Sequence, residues 1–94
     1  MNQQDVVRAA RNHAERFADP DTPAYDALVD DERFASLARL GDLADVEQSA
    51  LLREPGASAD ARQRVGFATV ELDQALRARA DTVLEDAAVE APDA

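Results

Sequence analysis

His13 and twenty Asp and Glu side chains are what this sequence offers for acid–base or metal chemistry, and no cysteine joins them. A lone histidine can ligate a metal, shuttle a proton or sense pH. Metal sites combine several His, Cys or carboxylate ligands, and His13 has no second imidazole or thiolate to work with. It falls among Val6, Ala10, Ala14 and Phe17 on the apolar face of an amphipathic stretch. The expected role is structural, with a ring nitrogen meeting a carboxylate or a backbone carbonyl. His13 is nevertheless the one side chain retained as a functional candidate.

The carboxylates form pairs at helical spacing, Asp26 with Asp30 and Asp42 with Asp45, which could bind a hard cation or act as acid and base. Neither pair sits in an EF-hand pattern of alternating ligands, central glycine and closing glutamate. In so acidic a chain such spacings arise from composition, and surface solvation accounts for them. Ser36, Ser49 and Ser58 have helical or capping contexts without a Gly-x-Ser-x-Gly elbow. Three scattered glycines cannot build a phosphate-cradling loop. No catalytic residue, metal ligand or cofactor site is nominated, and an enzyme is not expected.

Charge speaks more clearly than chemistry. All ten basic residues are arginine, lysine and isoleucine are absent, and the net charge is -10. Carboxylates hold water and cations, while planar arginine replaces the strongly hydrated lysine ammonium. This is a halophile-type composition, suited to staying soluble in concentrated salt. GC-rich coding alone also depletes Lys and Ile, but it does not by itself double acids over bases. The acid is blocked: residues 19–34 carry a net -5, as do residues 81–94, whereas residues 57–80 carry +1. Apolar residues make up 46% of the chain, but much of that is alanine, so a thin core is expected. No apolar run is long enough to span a membrane, and the amino terminus lacks a secretory h-region. A soluble cytoplasmic protein is the expectation.

Helix is the only period that fits. Asn2 is a plausible N-cap for a helix ending near Ala18, and Thr22-Pro23 reads as N-cap and N1 of a second. Asp30 or Asp31 can open a third, with Phe34, Leu37 and Ala38 inward and Gly41 as its C′ residue. Asp42 would cap a fourth, bearing Leu43, Val46, Ala50 and Leu51, stopped by Glu54-Pro55-Gly56. Whether residues 24–40 form one helix or two is open at this level. Ser58 starts the longest helix, running to about residue 87. The expected architecture is all-α, a single-domain bundle of four or five helices over residues 1–87, closed by the long C-terminal helix. Residues 88–94 read as a disordered acidic tail.

In the long helix Val65, Thr69, Leu72, Leu76, Ala80, Val83 and Ala87 form one stripe, with Leu72 and Leu76 expected in the core. Phe67 and Val70 fall on another side and Leu84 off the stripe, giving a possible interface of Phe67, Val70 and Leu84. Its charges oppose its dipole: Arg62 and Arg64 lie in the first turns, and Asp81, Glu85 and Asp86 near the end. The expected function is non-enzymatic, helix-mediated association as a homodimer or with an unknown protein partner. The alternative is a helix-turn-helix DNA-binding regulator working at high salt, with residues 32–40 and 43–53 as the two helices. Nucleic acid is the poorer match, because Asp45, Glu47 and Glu54 oppose a single Arg53 in its recognition segment.

Overall fold

Short polar side chains set the helix starts. In the computed structural model, which describes residues 2–90, the Asn2 side chain accepts from the Gln4 amide at 2.9 Å and opens α1, Gln3–Ala14. Thr22 caps α2, Pro23–Asp30, with proline in its first turn. Asp31 accepts from the Phe34 amide at 2.8 Å and opens α3, Glu32–Arg53. Ser58 accepts from the Ala61 amide at 3.1 Å at the start of α4, Ala59–Glu90. The chain is therefore an all-α bundle of four helices, with the long C-terminal α4 packed on α3 and α2.

Several boundaries differ from expectation. The break at Asp31, whose backbone is extended, makes residues 24–40 parts of two helices. α1 stops at Ala14, and hydrogen-bonded turns carry the chain to Ala18. The expected stop at Gly41 is absent: α3 runs straight through it, and no glycine has positive φ. A glycine stop requires the left-handed conformation, and tertiary packing overrides it here. The inward stripe of Phe34, Leu37, Gly41, Ala44, Gln48 and Leu51 keeps its period across the glycine, so one helix continues along α4. α4 reaches Glu90, beyond the expected end at residue 87, and residues 91–94 of the expected tail lie outside the described residues.

α3 and α4 form a long antiparallel hairpin, and α1 and α2 cover only one end of it. The core is drawn from Ala9, Ala10 and Ala14 of α1, Leu28 of α2, the start of α3 (Phe34, Ala35, Ala38) and the later half of α4 (Leu76, Ala80, Val83). Six of these ten buried residues are alanine, which lets the helices approach closely but makes the core thin. Between Arg39 and Ala75 no residue is buried. That stretch projects as an arm, and the molecule measures 58 × 23 × 19 Å. Leu72, expected in the core, is only half-buried: it lines a small cavity beside His13 of α1 instead of packing under a third helix.

The hairpin also accounts for Arg62 in the first turn of α4. Because the helices are antiparallel, the first turns of α4 lie beside the C-terminus of α3, where a cation is favoured. Arg62 donates from Nη2 to the Glu54 carbonyl at 3.1 Å, satisfying an acceptor at that terminus. At the other end Arg79 holds Asp31 with two hydrogen bonds, Nε to Oδ1 at 3.0 Å and Nη2 to Oδ2 at 2.7 Å. One carboxylate thus ends α2, caps α3 and ties both to α4.

Candidate functional site

Two features bear on function: a polar chain through His13 and the uncovered outer face of the arm. His13 leaves the last turn of α1 half-buried, with Nε2 at 2.8 Å from Asp42 Oδ1 on α3. Its Nδ1 lies 2.9 Å from Nη1 of Arg16. A guanidinium only donates, so Nδ1 accepts, and the imidazole proton sits on Nε2 and is donated to Asp42. Arg16 continues through Nη2 to Asp73 Oδ1 at 2.8 Å, and Asp73 Oδ2 accepts from Arg77 Nε at 2.8 Å. Arg16 first, and then Arg77, hold the Asp73 carboxyl below the ordinary aspartate range.

This polar chain ties α1 and the turn after it to α3 and α4, beside a small cavity of about 140 Å³ lined by His13, Arg16, Thr69, Asp73 and Leu76 among others. Both ring nitrogens of His13 are engaged, so neither is free to take a proton from a substrate. Asp42, expected to cap a helix, accepts the hydrogen bond from His13 instead. Among the described residues no three His, Cys, Asp or Glu side chains gather as a metal site, and Asp26 and Asp30 are both exposed. What the arrangement does is fasten helices.

The arm carries the other candidates. Phe67 is 60% exposed and Val70 54%, one turn apart on the face of α4 turned away from α3. The structure separates Leu84 from them: it is half-buried and packs against the core. Leu43 and Val46, assigned to a separate fourth helix, are exposed on α3, as are Leu40 and Leu52. Their exposure follows from the continuous α3, whose inward stripe runs through Ala44, Gln48 and Leu51 instead. That period was readable in the residues but competed with the stop signal of Gly41.

The helix-turn-helix shape has lost its turn, since residues 41–42 lie within α3. Nor do Arg8, Arg39 and Arg53 gather along its recognition segment. Arg8 and Arg39 flank Asp5, at 3.9 and 3.7 Å, while Arg53 stands at the far end of α3, about 20 Å along the helix from Arg39. No protein-family model matches the chain, and no curated protein or solved structure matches it. No helix is long and apolar enough to cross a membrane among the described residues.

Proposed function

We propose that this protein acts by helix-mediated association, with the outward face of α4 around Phe67 and Val70 as its contact surface, and performs no chemistry of its own. One observation carries this: the stretch between Arg39 and Ala75 contains no buried residue yet holds six of the seven large exposed hydrophobics among the described residues, including Phe67 and Val70. A helical hairpin with so little of its own core gains stability when a partner covers it. The charge of -10 and the all-arginine basic set suit such a protein to concentrated salt, where repulsion between acidic surfaces is screened.

A photoreactive phenylalanine analogue at position 67, introduced in the source cells, tests this. Illumination is expected to yield a discrete adduct of higher mass from position 67, and not from the same probe at Glu15, exposed just past the end of α1. Adducts no more abundant at 67 than at 15 would refute association through this face.

A further inference from the structure

We infer that the occupant of this face is a second copy of the chain, docked antiparallel through α4 across a two-fold axis between Ala68 and Thr69, an inference that rests on the association proposed above. Asp60, Gln63, Phe67, Val70, Gln74 and Arg77 recur at alternating spacings of three and four, and every one is exposed. They form a helix seam of the coiled-coil kind on the side opposite the stripe that meets α3. Reversing a second α4 against this seam sets Phe67 beside Val70 of the second copy, twice, as an apolar centre. Gln63 then meets Gln74, and each amide can both donate and accept. At the ends Asp60 meets Arg77, a residue that Asp73 already orients.

The flank of the seam agrees. Arg64 and Glu71, both exposed, lie along one side of it, and antiparallel packing brings equivalent flanks together. Arg64 of each copy therefore faces Glu71 of the other. A parallel pair would instead oppose Asp60 to Asp60 and Arg77 to Arg77, and would place the acidic bodies side by side. The antiparallel pair sends those bodies, with a net -5 in residues 19–34 and -4 in residues 81–90, to opposite ends. It joins the copies through residues 57–80, which carry +1. The apolar centre is small, so the dimer is a weak one, favoured by molar KCl, which screens the repulsion between copies.

The absence of cysteine allows a direct test with the full chain. Gln63→Cys and Gln74→Cys variants are mixed at high micromolar concentration in molar KCl and oxidised gently. Across the proposed axis these positions are neighbours, whereas two copies of either one lie about 16 Å apart, beyond disulfide reach. The mixture is expected to form heterodisulfide about tenfold faster than either variant alone forms its homodimer. Adding Phe67→Asp to both should reduce that rate to the single-variant level while leaving the circular-dichroism spectrum helical, because Phe67 is not part of the core. Equal rates in the mixture and the single variants, or no disulfide at all, would overturn the second-copy assignment. With a discrete adduct of another chain at position 67 in cells, that outcome would leave association through this face standing.

Discussion

Phe34→Ala is expected to leave the protein largely unfolded near room temperature. Phe34 is fully buried, the larger of the two large side chains with no exposure, and it meets Phe17 edge-on at 6.0 Å between centroids. Truncating a buried phenylalanine costs about 3–5 kcal/mol, and losing an aromatic pair adds roughly 0.5–1.5 kcal/mol. Most of the surrounding buried residues are alanines with no rotamers through which to close the gap. A small domain has about 5 kcal/mol in total when its core is thin. Urea titration followed by circular dichroism checks this, with Phe34→Leu, which removes less volume, as the milder control. A variant whose midpoint matches the wild type would place the core elsewhere.

The second large effect is expected at Asp31. Asp31→Ala removes the α3 cap, worth about 1 kcal/mol, together with both hydrogen bonds from Arg79. Screening does not erase the pair, because the Asp31 side chain is only 16% exposed and that of Arg79 31%. Asp31→Asn keeps the cap, since asparagine serves there as well, and loses only the ion pair. Arg79 first, helped by the Phe34 amide and against the cost of burial, holds the Asp31 carboxyl below its ordinary value. The pair therefore contributes its full stability above the unfolded aspartate pKa and loses it as pH falls through the lower folded value. The wild type should exceed Asp31→Asn by a constant margin from neutral pH down to about pH 4, and that margin should shrink below it. A margin independent of pH down to strong acid would show that the ion pair is not its source.

Local chemistry was legible in the residues, and distance was not. The caps at Asn2, Thr22 and Ser58 depend on neighbours within a turn, and each stands where the residues suggested. The carboxylate expected for His13 is Asp42, although nothing in the chain singled it out from nineteen others. Gly41 misled, because a local stop signal was weighed against packing with α4 that only the folded hairpin reveals. The same blindness placed Leu72 with Leu76: both lie on one stripe, but only Leu76 is buried in the bundle, while Leu72 borders a cavity. The Arg79–Asp31 tie spans 48 residues and left no local trace beyond two charges. Arg62 did leave one, since its place against the helix dipole was an anomaly that the neighbouring α3 terminus resolves.

The division of α4 into a packed half and an uncovered half is what the proposed association depends on. Native-state hydrogen exchange along α4, measured at low and at high protein concentration in molar KCl, tests it directly. Amides of residues 76–87, beside Leu28 and Phe34, should be equally protected at both concentrations. Amides of residues 61–72 should exchange much faster in the dilute sample and gain protection as concentration rises. Uniform protection along the whole helix, unchanged by concentration, would mean that the arm is complete by itself and that its apolar face calls for no second copy.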